Sequence, residues 1–137
     1  VAHPYEEIDT LARTIYGEAR GEPMQGKIAV AWCVRNRVEH PKWWGKSWLG
    51  VMLKPKQFSC WNPEDRNRTK LAGVTFNDKD FRDCWYAAMA VYQDQVKNPT
   101  PGATHYYAYK MMDEPFWAKG ATSCGRVGMH ELFKGVR

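Results

Sequence analysis

A glutamate in the last turn of a helix is a candidate proton donor, and Glu18 occupies such a position. At about 100° per residue it falls just outside the apolar stripe of its helix, beside Leu11 and Ile15. The unpaired carbonyls at a helix C-terminus form the negative end of the helix dipole. Partial burial and a negative neighbourhood both disfavour the ionised form and raise a carboxyl pKa. A general acid working near neutral pH needs that property. On geometry alone, a surface glutamate at a frayed helix end fits the pattern equally well. Glu22 lies one turn further on, but Pro23 interrupts the helix, so a carboxylate capping the next helix is the expected role. His105 and His130, with a carboxylate or a cysteine, could supply three zinc ligands. There is no HExxH, however, and neither histidine has a partner at local ligand spacing, so buried hydrogen-bonding roles are expected for both.

The elements that must position Glu18 follow from periodicity. The residues Ile8, Leu11, Ala12, Ile15, Tyr16 and Ala19 predict a first helix from about Tyr5 or Ile8 to Ala19. A second helix is expected to start near Pro23, and its stretch from Ile28 to Val34 is apolar on every side, as in a helix buried through the middle of a domain. Residues 40–75 are rich in Trp, Lys and Pro and read as long loops with one short helix. A third helix begins after Asn77 or Asp78, with Phe81, Cys84, Trp85, Ala88, Tyr92 and Val96 as its inward stripe. A strand over 104–112 and an antiparallel partner over 126–133 complete the chain. The expected fold class is α+β, a mainly helical single domain over 1–137 with a small antiparallel sheet beside a loop-lined cleft.

Composition narrows the partners without choosing one. Seven Trp and seven Tyr exceed what a small core needs, and several fall in loop-like stretches, where exposed rings can stack on sugars or on nucleic-acid bases. The net charge of +5 favours polyanions, among them bacterial wall, nucleic acid and anionic lipid. No nucleic-acid motif is present, and the basic residues are dispersed, so no nucleic-acid partner is expected. The longest apolar run, Ile28 to Val34, falls far short of the ~20 residues of a membrane span. No signal-peptide pattern is visible, and the first residue is Val1. Of the four cysteines, Cys33 and Cys84 sit in apolar helical patterns as core residues, whereas Cys60 and Cys124 lie in polar, turn-rich surroundings and are the candidate disulfide.

The stretch Leu11-Ala12-Arg13-Thr14-Ile15-Tyr16-Gly17-Glu18-Ala19-Arg20-Gly21-Glu22-Pro23, followed by Gly26 to Ala31 and Asn36-Arg37-Val38, closely resembles the opening of the SleB/CwlJ family of spore cortex-lytic and related cell-wall hydrolases. The resemblance continues through Gln57-Phe58-Ser59-Cys60-Trp61, Gly102 to Tyr107, Pro115-Phe116-Trp117-Ala118 and Gly128-Met129-His130, in order along nearly the whole chain. It departs at the end, where the family has His-x-Phe-Tyr and this chain has His130-Glu131-Leu132-Phe133. The resemblance implies a lysozyme-like fold, Glu18 as the catalytic acid, bacterial peptidoglycan as substrate, and no cofactor. It further implies that Gln57 and Ser59 hydrogen-bond the sugars and that Phe58 and Trp61 stack or pack a loop. Tyr106, Tyr107 and Trp117 would line subsites, and His105 would hold the strand or a substrate peptide.

A retaining or inverting glycosidase needs two carboxylates, about 5 Å or about 6.5–9.5 Å apart. With Glu18 alone, the substrate's own N-acetyl group or C6 hydroxyl can complete the reaction, and the second case gives a 1,6-anhydromuramyl end, the lytic transglycosylase outcome. A muramidase would need Glu22, Glu64, Asp65 or Asp113 across the cleft. An N-acetylmuramoyl-L-alanine amidase with a metal site is the remaining alternative. The protein is expected to act on the bacterial wall, as a monomer and without membrane insertion.

Overall fold

A computed structural model describes residues 3–137. Helix α1 runs over Pro4–Ala19, with His3 accepting a hydrogen bond from the Tyr5 amide at its start. Its buried face is Ile8, Leu11, Ala12, Ile15, Tyr16 and Ala19, the stripe that the spacing predicts. Each large side chain removed from water there contributes about 1.5–3 kcal/mol. Helix α2, Met24–Glu39, is buried on nearly every side. Pro23 precedes its first turn as an extended cap residue.

Residues 40–75 hold two short helices where one is expected: α3 at Trp48–Met52 and α4 at Asn67–Gly73, with a single 3₁₀ turn at Ser59–Trp61 between them. Helix α5, Lys79–Tyr92, is capped by Asp78, whose side chain accepts from the Asp80 and Phe81 amides. The chain turns away after Tyr92, and Asp94 takes a left-handed φ of 61°, so Val96 packs on the core from outside the helix. Helices α1 and α2 pack against α5 around the main core.

Strand β1 is His105–Ala108, shorter than expected. The second expected strand is two strands, β2 (Thr122–Val127) and β3 (His130–Lys134), joined by a tight turn at Gly128 and Met129. Gly128 has φ +59°, and a Cβ there would run into the Glu22 carboxylate, so the turn requires glycine. The sheet is antiparallel in the order β1-β3-β2, with His105 opposite Phe133 and Tyr106 opposite Leu132. Because side chains alternate along a strand, Tyr106, Leu132 and His130 face the helices, while Tyr107 and Phe133 face away. No helix among the described residues is long and apolar enough to cross a membrane.

All four cysteines are free, and the expected Cys60–Cys124 pair does not form. Cys60 is buried against α1, where a Cβ on Gly17 would lie 2.5 Å from its Cβ. Cys124, on the edge strand β2, packs instead beside Cys33 and Leu132 on the far side of α2. Turn-rich local sequence carries no information about which cysteines are buried or which ones meet.

Candidate active site

Glu18 sits in the last turn of α1 and forms part of the wall of two cavities. The first, 360 Å³, is also lined by Arg37, Gln57, Phe58, His105, Tyr106 and Trp117. The second, 280 Å³, lies against Gly21, Glu22, Met111 and His130. An extended ligand crossing both would pass the carboxylate.

The carboxylate is held by two neighbours. The Tyr106 hydroxyl donates to Glu18 Oε1 at 2.7 Å from β1, across the gap between sheet and helix. Cys60 is the second neighbour, and its thiol and amide act to favour the ionised carboxylate. The position of Cys60 depends on Gly17, since any side chain there would strike the Cys60 Cβ and Sγ. Burial raises the Glu18 pKa; the Tyr106 and Cys60 hydrogen bonds offset part of the rise, and the negative charge of Asp65 adds to it. The net shift is upward, the direction that keeps a carboxylic acid protonated for donation.

Tyr106 reaches Glu18 because the segment before β1 is tied to α2. Asn36 Nδ2 donates to the Ala103 carbonyl at 2.7 Å, and Arg37 Nε donates to the Thr104 carbonyl at 2.7 Å. Arg37 also reaches Gln57 Oε1 at 3.4 Å and lies over the Phe58 and Trp44 rings at 5.0 and 5.7 Å. Its burial lowers the guanidinium pKa, and the nearby Cys33, Tyr106 and Glu18 oppose that shift. Arg37 was not among the expected site residues. The available signal is a charge inside a helix that is apolar all round, which is rarely fully buried without a partner.

Of the expected ligand-contacting residues, Gln57, Phe58, His105, Tyr106 and Trp117 meet around Glu18. Ser59, Trp61 and Tyr107 are placed elsewhere. Ser59 is exposed on the 3₁₀ turn, outside the cavity lining. Trp61 turns inward, and its Nε1 donates to Thr14 Oγ1 at 2.8 Å. Tyr107 lies on the outer face of the sheet, stacked on Phe133 at 5.9 Å. Among the adjoining tryptophans, Trp44 is 1% exposed and donates to the Arg37 carbonyl, whereas Trp43 is 47% exposed and lines the first cavity.

His105 is enclosed by Trp43, Trp44 and Trp117, and Nδ1 lies 2.9 Å from Thr104 Oγ1. Burial and the neighbouring Arg37 push its pKa down to about 3, so the ring is neutral near neutral pH. His130 packs edge-on against Tyr106 at 4.7 Å, with Nδ1 3.7 Å from Glu22 Oε1. Among the described residues, no three His, Cys, Asp or Glu side chains converge as a metal-ligand set.

Glu22 does not cap α2. Its Oε1 accepts from the Met129 amide at 2.7 Å and so pins the β2–β3 turn to the end of α1. Asp65 accepts from the Asn67 amide at 2.8 Å just before α4, and Glu64 and Asp113 are exposed. Among the described residues, Glu18 is the one Asp or Glu lining the first cavity.

The profile of the Cell Wall Hydrolase family matches residues 21–133, most of the chain. The chain belongs to the cell wall hydrolase family. The spore cortex-lytic enzyme of Bacillus subtilis (strain 168) is 42% identical over 54 residues, which are 39% of this chain and 17% of that enzyme. The spore cortex-lytic enzyme of Halalkalibacterium halodurans is 40% identical over 54 residues, 39% of this chain and 16% of its own length. These matches thus span less than a fifth of either curated relative. In three dimensions, the catalytic domain of the germination-specific lytic transglycosylase SleB from Bacillus anthracis superposes with a TM-score of 0.72, covering 97% of this chain and 98% of that one at 23% identity. The SleB catalytic domain of Bacillus cereus gives 0.71, covering 97% and 93%, also at 23% identity. The α+β, mainly helical fold of this cell wall hydrolase is therefore that of the SleB catalytic domain.

Proposed function

We propose that this cell wall hydrolase cleaves the glycosidic bond between N-acetylmuramic acid and N-acetylglucosamine in bacterial peptidoglycan, as a lytic transglycosylase. The observation that carries the reading is the partly buried Glu18 between two cavities, the one Asp or Glu lining the first of them, with its carboxyl pKa raised. Protonated Glu18 donates to the glycosidic oxygen as the C1–O bond of the muramic residue breaks. The N-acetylglucosamine chain leaves with that proton as a hydroxyl. Glu18, now a carboxylate, takes the proton from the muramic C6 hydroxyl as O6 bonds to C1. The product is a 1,6-anhydromuramyl end, and Glu18 is regenerated without consuming water.

Tyr106 supports this cycle from the side. Its hydroxyl donates to Oε1 and so orients the carboxyl group and steadies the anionic form between the two proton transfers. Two carboxylates compete for the second role in a muramidase: Asp65, whose charge acts on Glu18 but which accepts from the Asn67 amide, and Glu22, which shares the second cavity with Glu18. The Glu22 oxygen is already engaged by the Met129 amide. Gln57, Phe58 and Trp117 are the proposed sugar contacts, and the chain acts on the wall as a monomer.

The test is to incubate the protein and its Glu18→Gln variant with purified peptidoglycan and mass-analyse the released fragments. Anhydromuramyl products that disappear in the variant support the proposal. Reducing-end muropeptides that disappear point to hydrolysis, with Glu22 as the next residue to substitute. Free stem peptides, or full activity in the variant, sink it.

A further inference from the structure

The two sides of Glu18 differ in charge. Beyond Glu18, the first cavity is lined by three basic side chains, those of Arg37, Lys56 and Arg137, and by no other Asp or Glu. It opens into a further cavity of 380 Å³, with which it shares Phe116, Trp117 and Arg137, and there Lys119 adds a fourth cation. The cavity on the opposite side of Glu18 instead carries Glu22 with Arg20 and His130.

The cations of this arm are set apart by their place along two adjoining cavities and not by lacking a partner, since Lys42, Lys46, Lys97 and Lys110 are also exposed and, among the described residues, pair with no carboxylate. Arg13, Arg35, Lys79 and Arg126 are each matched by an aspartate or glutamate. Among the described residues, Lys56, Lys119 and Arg137 pair with no carboxylate and stand exposed. Lys56 also has a left-handed backbone, φ 67°, unusual for a residue other than glycine. Asn62 Oδ1 accepts from its amide at 3.3 Å and helps hold that conformation. Phe116 is 85% exposed at the junction of the two cavities and offers an apolar face among the charges.

Unpaired cations around an exposed aromatic ring suit a short peptide that carries free carboxylates and small apolar side chains. We infer that this arm binds the stem peptide attached through the lactyl group of muramic acid, so that the preferred substrate is the peptide-bearing strand and not the bare glycan. The inference rests on the glycosidic reading and further places the muramic residue of the cleaved bond on this side of Glu18. Lys56 and Lys119 are then specificity-determining residues that take the peptide carboxylates, while Phe116 covers the apolar part.

The test measures binding to the Glu18→Gln protein, which leaves the strands uncut. Soluble peptidoglycan strands freed of teichoic acid are used in two forms, peptide-bearing and stripped of peptide by an amidase. Peptide-bearing strands are expected to bind about fivefold to tenfold more tightly, the range that two partly exposed charged contacts supply. Adding Lys56→Gln and Lys119→Gln brings that ratio close to one, with circular dichroism checking the fold. Raising the salt shrinks the ratio even without those two substitutions, since exposed charges are screened. Equal binding of the two strand forms, a ratio that survives the double substitution, or a ratio indifferent to salt each overturns the inference. Fragment analysis judges the glycosidic reading separately: free stem peptides among the products remove that reading while the binding ratio is still measured.

Discussion

The Tyr106 hydroxyl and Glu18 Oε1 lie 2.7 Å apart, although 88 positions separate them in the chain. One residue belongs to the sheet and the other to the first helix, so this hydrogen bond exists only because β1 is tethered across α2 by Asn36 and Arg37. It also opposes the effect of burial on Glu18, since a donor favours the ionised carboxylate.

Replacing Tyr106 by Phe removes that donor and keeps the ring. The Glu18 pKa then rises further, because burial and the Asp65 charge act with less opposition. Activity that needs protonated Glu18 is lost as pH rises through its pKa, so the alkaline limb of the rate profile moves to higher pH in Tyr106→Phe. The maximal rate falls about tenfold or more, in line with the loss of a charge-assisted hydrogen bond to a catalytic group. A pH profile of kcat/KM with peptidoglycan checks both points, and an unmoved or acid-shifted limb contradicts them.

Gly17 is a tight point of the site. A methyl group there meets Cys60 Cβ at 2.5 Å and Sγ at 2.7 Å, and neither can retreat, because Cys60 is only 1% exposed. Gly17→Ala is expected to cost about 1–3 kcal/mol in denaturant unfolding, as overpacking does. Activity should fall by more than that loss explains, since the displaced turn carries the Cys60 contacts to Glu18. A stable, fully active variant is incompatible with the packing described.

The cysteines give a direct check on the tertiary arrangement. Burial pushes the Cys33 and Cys84 thiols up to about 12 and the Cys60 thiol higher still, with the Glu18 charge adding to the rise at Cys60. Cys124 is partly accessible on its edge strand. A thiol reagent applied to the native protein should therefore label Cys124 at least tenfold faster than the other three. Unfolding in denaturant without reductant should expose all four. Only two reactive thiols after unfolding would reveal a disulfide that this structure lacks.

The sequence by itself determined the three long helices and singled out Glu18 as the candidate acid. The 3.6-residue stripe of α1 is a local property, and so is the all-round apolar character of Ile28 to Val34. The words around Glu18, with the motifs that follow in order, were enough to name the family and the fold. Local periodicity also placed a strand near Tyr106, but not its partners: the turn at Gly128 depends on Glu22, which is distant in sequence and holds the Met129 amide. The same limit explains the residues that moved. Tyr106 and Tyr107 are adjacent and chemically alike, and strand alternation sends one to Glu18 and the other to Phe133. Trp61 is drawn inward by Thr14, and Arg37 becomes a site residue because Thr104 and Gln57 come to meet it. Only the tertiary structure decides such matters, because hydrogen-bond partners and cleft walls are assembled from segments whose separation along the chain leaves no local trace.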